Sequence, residues 1–189
     1  MAADDPTSLK GHILIAMPGL ADPNFVQTVT CICEHTDQGA MGIVVNRLHD
    51  GLFAKDIFEE LSIACNPDRQ SPAVHAGGPV HAGDLFVLHG TPLEWEATLQ
   101  VTPALGLSNT RDILEAIACG RGPAAFLISL GCAGWGPGQL ETEIRENTWL
   151  TQPADADILF TLPVDVRWGE ALKRIGVDPL LLSGTPGHA

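Results

Sequence analysis

Apolar residues in this chain gather in short runs, and their spacing separates strands from helices. "LKGHILIAMP" reads as a strand, stopped by "PGLADPNF", whose Pro, Gly, Asp and Asn favour turns. "VQTVTCICEH" alternates, which predicts a strand with Val29, Cys31, Cys33 and His35 on one face and Thr30, Ile32 and Glu34 on the other. "TDQGA" turns the chain into "MGIVVNR", and two strands joined by a short Gly-containing loop make a hairpin. "LFAKDIFEELSI" carries Phe53, Ile57 and Leu61 at four-residue spacing with Phe58 beside them, one apolar helix stripe.

Further along, a Gly77–Gly78–Pro79 corner leads to the strand "DLFVLH". "NTRDILEAIACG" reads as a helix capped by Asn109 and closed by Gly120. "AAFLISLG" is almost wholly apolar, as a central strand is, and "DILFTLP" reads as another strand. "VDVRWGEALKRIGVD" predicts a helix capped by Asp165, with Trp168, Leu172 and Ile175 on one face and Gly176 at its end. Strands dominate the first half and alternate with helices later, so the expected class is α+β with a mixed sheet. Residues 1–8 form an acidic, flexible tail, and 9–189 a single domain.

Charge narrows the possible partners. Ten Lys and Arg against 23 Asp and Glu leave a net −13, and no run of basic residues exists to offset it. Such a surface repels phosphate backbones and anionic lipids, so direct DNA or RNA binding is disfavoured. The amino end lacks a basic region followed by an apolar stretch, and the apolar runs are too short to span a bilayer. A soluble cytoplasmic protein is expected, with no membrane partner. The five cysteines, Cys31, Cys33, Cys65, Cys119 and Cys132, form no C-x-x-C pair and fit reduced thiols better than a disulfide framework.

The segment "LISLGCAGWGPGQLETEIREN" (127–147) has the strand, glycine turn and helix order of a phosphate-binding loop. The details go the other way. No Lys follows the last glycine, Pro137 lacks an N–H, and the glycine spacing matches neither nucleotide pattern. Glu141 and Glu143 stand where a phosphate would need positive charge. The expected structure is a turn leading into a helix from Gly136 and Pro137, with Leu140 and Ile144 packed inward between Trp135 and Trp149. "LGCAG" has Leu130 where a nucleophile elbow needs glycine, so Cys132 is read as a core or loop thiol.

As a whole the chain resembles the YqgE/AlgH family of bacterial proteins. The likeness is carried by "LIAMPGLADPNF", "ICEHTDQGAMGIVVNR", "AGGPV", "FVLH", "GCAGWGPGQLETEIRENTWL" and "DVRW…IGVDPLLLSGTPGHA", in order from about residue 9 to the end. The resemblance implies a mixed, strongly curved, almost barrel-like sheet with flanking helices. It implies no catalytic residues, and one branch is named as a regulator of transcription in alginate production. This chain has Cys132 where the family usually has Tyr.

Three functions follow for comparison. No catalytic or cofactor pattern is complete, so a non-enzymatic role through contact with another protein comes first. Its surface would use Asp22, Asn24, Phe25, His35, Asn46, Gly77, Gly78, Pro79 and Trp135. The second is thiol chemistry at Cys33, activated by His35, since residues two apart on a strand are about 6.5–7 Å apart at Cα. The third, direct DNA binding, has the charge against it. No cofactor or metal is expected: Cys31, Cys33 and His35 lack a fourth ligand, His75, His81 and His89 are loosely spaced, and Asp155 and Asp157 have no acid–base partner in view.

Overall fold

The alternating segments become strands of one sheet. The computed structural model describes residues 8–65 and 71–178. Its strands are β1 (His12–Ala16), β2 (Val29–Thr36), β3 (Gly39–Val44), β4 (Leu48–Phe53), β5 (Ala73–Ala76), β6 (Val80–His89), β7 (Thr98–Thr102), β8 (Leu105–Ser108), β9 (Phe126–Trp135) and β10 (Trp149–Pro153). Its helices are α1 (Ala54–Glu60), α2 (Arg111–Ala118), α3 (Gln139–Arg145), a π-helix (Asp157–Thr161) and α4 (Arg167–Arg174).

The strands run β10-β1-β2-β3-β9-β6-β8-β7, antiparallel throughout. β5 adds to β9 in parallel, and β4 pairs with β5, so the sheet is mixed. It curls into a half-barrel, and the fold class is α+β. The curl shows in the packing: Ile13 and Cys31 near one end of the path share a cluster with Val101 and Leu107 at the other. That cluster is the inside of the curve, and Ile158, Leu159 and Leu172 of the π-helix and α4 complete it. Outside, α1 and α2 cover Val74, Val87 and Ile128, while α3 covers Ile32, Ala133 and Trp149.

Several elements differ from the sequence expectation. Within "DILFTLP" the segment Asp157–Thr161 is a π-helix and not a strand: the Asp155 carboxylate accepts the Asp157 N–H (2.9 Å), and Ile158 and Leu159 are buried side by side. Strand alternation cannot bury two neighbours on one side. β4 and β10 were not expected, since neither has an apolar period and each exists through its pairing with β5 or β1. Phe53 is 40% exposed and caps α1, so Phe58 anchors that helix instead. Thr110 and Val166 occupy the cap positions expected for Asn109 and Asp165. β6 begins at Val80, directly after the glycine corner.

β9 is the largest correction. It continues through "GCAGW" to Trp135, so Gly131 and Gly134 are strand residues and α3 starts only at Gln139. Gly131 has φ +73° and lies hard against the Gly78 carbonyl; a Cβ on Gly78 would strike the Cys132 backbone. The two glycine motifs serve one tight crossing of the chain.

Candidate functional site

β2 carries a bulge at the residue on which thiol chemistry would depend. Ile32 pairs with Gly42 and Glu34 with Met41, which leaves Cys33 as the extra residue. An extra residue resets the alternation beyond it. Cys33 therefore stays inside with Cys31, fully buried, its Sγ 3.6 Å from the Cys31 carbonyl. Hydrogen bonding to Cys31, burial and the neighbouring thiols push its pKa well up.

His35 faces outward. It pairs with Ala40, which pairs with Trp135 on the face covered by α3. Its Nδ1 accepts the Leu9 N–H (2.9 Å), so in the neutral ring Nε2 carries the proton and donates to Glu141 Oε1 (2.8 Å). Cys33 and His35 are not brought together. Cys132 is also buried, and burial, followed by the Asp84 charge, raises its pKa.

The loop 22–27 is fixed from beneath. Asp22 Oδ1 accepts the Asn24 N–H (2.8 Å). Arg47 donates to three of the loop's carbonyls: Pro23 (2.7 Å), Asn24 (3.0 Å) and Val26 (2.8 Å). Asn46 Nδ2 donates to the Gln27 carbonyl (2.9 Å), and its Oδ1 accepts the Val29 N–H (2.7 Å). The half-buried Phe25 ring packs edge-on against Trp149, 5.6 Å between centroids. Asp22, Pro23, Asn24, Val26 and Gln27 remain exposed around this scaffold.

The Arg47 carbonyl accepts the Ala76 N–H (3.0 Å), so the loop and the Gly77–Pro79 corner meet through one residue. Sequence reasoning passed over Arg47. Its targets are carbonyls of a remote loop, and carbonyls carry no sequence signature. The corner itself is structural, with Gly77 bonded to Leu130 and Val44 and only Pro79 at the surface.

Trp135, expected on a binding surface, is 6% exposed. Its indole N–H and that of Trp149 donate to the same oxygen, Glu143 Oε2, at 2.9 and 2.8 Å. Gln139 braces the other carboxylate oxygen (2.8 Å). The two glutamates of α3 thus hold the helix to the sheet: Glu141 through His35, Glu143 through the tryptophans.

Two interior polar groups stand out, Arg167, which the sequence reading passed over, and His75, which it weighed only as a metal ligand. Arg167 closes the C-terminal end of the π-helix, donating to the Leu159 and Leu162 carbonyls (2.8 and 2.9 Å). His75, 7% exposed, has no well-formed hydrogen bond on either ring nitrogen among the described residues, the Ile128 backbone being its weak polar neighbour. Burial, and secondarily the Arg167 charge, lower its pKa to about 4. His89 is bonded to Ser108 and Gly90, His81 pairs with Asp84, and Arg174 pairs with Asp155 (2.6 Å) and Asp157 (3.6 Å). Among the described residues no three His, Cys, Asp or Glu are grouped to hold a metal, and no helix is long and apolar enough to cross a membrane.

Known proteins share this architecture along nearly the whole chain. A family model described as AlgH-like matches residues 13–180. A UPF0301 protein of Desulforapulum autotrophicum is 52% identical over 169 residues, 89% of each chain. One from Pseudomonas aeruginosa is 48% identical and covers 100% of both. The solution structure of the AlgH protein from Pseudomonas aeruginosa superposes with a TM-score of 0.76 at 48% identity, covering 100% of both chains. A crystal structure from Corynebacterium diphtheriae gives 0.73 at 23% identity over 98% of this chain and 95% of that one, a likeness of fold alone.

Proposed function

The chain belongs to the AlgH-like family, and we propose that it is a non-enzymatic binding protein that regulates through contact with another protein in the cytoplasm. One observation carries this reading: loop 22–27 is exposed at every side chain but Phe25 and is held at its backbone by Arg47, Asn46 and the Phe25 anchor. A surface already ordered loses little conformational entropy on binding. Val26, 41% exposed, supplies an apolar contact point, and Asp22 and Asn24 supply polar ones.

The rival readings lose ground. A thiol that is buried, raised in pKa and turned away from His35 is a poor nucleophile. A net charge of −13 opposes direct contact with DNA, so an influence on transcription would pass through a protein. All five cysteines are free, which suits a reducing compartment.

Affinity capture from bacterial extract under gentle conditions tests the proposal. The wild-type chain is expected to retain a stoichiometric protein partner, and Val26→Asp to lose it at unchanged melting temperature. Recovery of no partner, or equal recovery by the variant, overturns this reading.

A further inference from the structure

We infer that the mouth of the half-barrel is a binding site for a small apolar cation, a ligand joining an aliphatic or aromatic body to a single positive charge. This site lies apart from loop 22–27 and does not depend on the protein-contact reading.

A cavity of about 640 Å³ opens there, within the size range of small-molecule sites, and barrel mouths are a recurrent place for them. Its wall is the inside face of the sheet: Met41 from β3, Phe86 from β6, Leu99 from β7 and Leu107 from β8. Met41, Phe86 and Leu99 are only partly buried, so the interior of the barrel reaches solvent at this end through side chains that would gain by being covered.

The rim sets the sign of the charge. Glu96 is the one charged residue among the described residues lining the cavity. Behind it stands a second carboxylate, Asp112, whose Oδ2 accepts the Glu96 backbone N–H (2.8 Å) and fixes the segment. Trp95, beside Glu96, has its indole N–H bonded to the Pro92 carbonyl (3.0 Å), so it offers the cavity ring surface and no donor. Aromatic rings, a thioether and a carboxylate around an apolar hollow suit a cation with little water attached. An anion would meet the Glu96 carboxylate, and no lysine or arginine is among the described residues that line the cavity.

The test is titration of the full chain with hexyltrimethylammonium, 1-hexanol and hexanesulfonate, which share an alkyl chain and differ in charge. NMR shifts of the Met41 methyl and the Trp95 indole N–H report occupancy. The ammonium is expected to shift both saturably and to bind about tenfold more tightly than hexanol, with no saturation by the sulfonate. Glu96→Gln, at an exposed position, is expected to lose that tenfold and to leave hexanol binding unchanged. Equal affinity for the three probes, preference for the sulfonate, no saturable shift at Met41 and Trp95, or an unaltered Glu96→Gln overturns the inference.

Discussion

Cys33 and His35, two residues apart on β2, face opposite sides of the sheet because the bulge between Ile32 and Glu34 inserts Cys33 as an unpaired step. The thiol points into the barrel and the imidazole lies under α3. The sequence pattern that suggested a reactive pair describes a regular strand, and this strand is not regular.

The first prediction concerns that thiol. Raised in pKa and fully buried, Cys33 stays protonated and out of reach at mildly alkaline pH. Alkylation followed by mass spectrometry is expected to label the exposed Cys65 and Cys119 first and Cys33 only on unfolding. Labelling of native Cys33 at the rate of Cys65 would refute the burial.

Glu143, half-buried at the sheet-facing side of α3, is expected to matter to stability. Glu143→Ala leaves two indole donors, on Trp135 and Trp149, without their acceptor. The expected cost is about 2–3 kcal/mol, given that hydrogen bonds to charged groups contribute about 1.5–3 kcal/mol. Urea unfolding measures it, and a loss under about 0.5 kcal/mol would show that α3 is held by other contacts.

Arg47→Lys is expected to loosen loop 22–27 without unfolding the sheet. Three carbonyls are satisfied by one planar guanidinium, and a lysine ammonium cannot reproduce that fork. Hydrogen exchange of the loop amides should rise while β1 and β2 stay protected. Unchanged exchange in the loop would mean that Phe25 and Asn46 suffice to hold it.

His75 gives a pH signature. Its folded pKa of about 4 lies below the ordinary 6.5, so the unfolded state binds the proton more readily. Stability is then complete above pH 6.5 and is lost as pH falls towards 4, by about 3 kcal/mol at about 1.4 kcal/mol per unit. His89, lowered chiefly by burial, acts in the same direction. Because neither ring nitrogen of His75 makes a well-formed hydrogen bond among the described residues, His75→Leu is expected to be neutral or stabilising at pH 7 and to flatten the slope between pH 6.5 and 4. An unflattened slope would assign the acid sensitivity to other groups.

Much of the fold was readable from local pattern. β1, β2 and β3 stand where alternation or an apolar run put them, β9 contains its apolar run but continues past it to Trp135, and α1, α2 and α4 stand where helix patterns put them. The candidate site was only half readable. Asp22, Asn24, Phe25 and Asn46 do come together, but Arg47, which joins them, carries no pattern, and Trp135 proved buried. The bulge and the π-helix were hidden for the same reason: each is a departure from the period by which strands and helices are read.

The sequence by itself determined which side chains seek burial, how short the elements must be, and that the glycine spacing of 127–147 matches no nucleotide-binding pattern. Those follow from side-chain chemistry and local period. The tertiary structure decided which face His35 and Cys33 take, what Glu141 and Glu143 bind, and where the barrel stays open. Such outcomes turn on register and on partners far along the chain, as with His35 and Glu141, 106 residues apart. Which distant groups meet is set by the closure of the whole sheet, a property no single stretch of the chain contains.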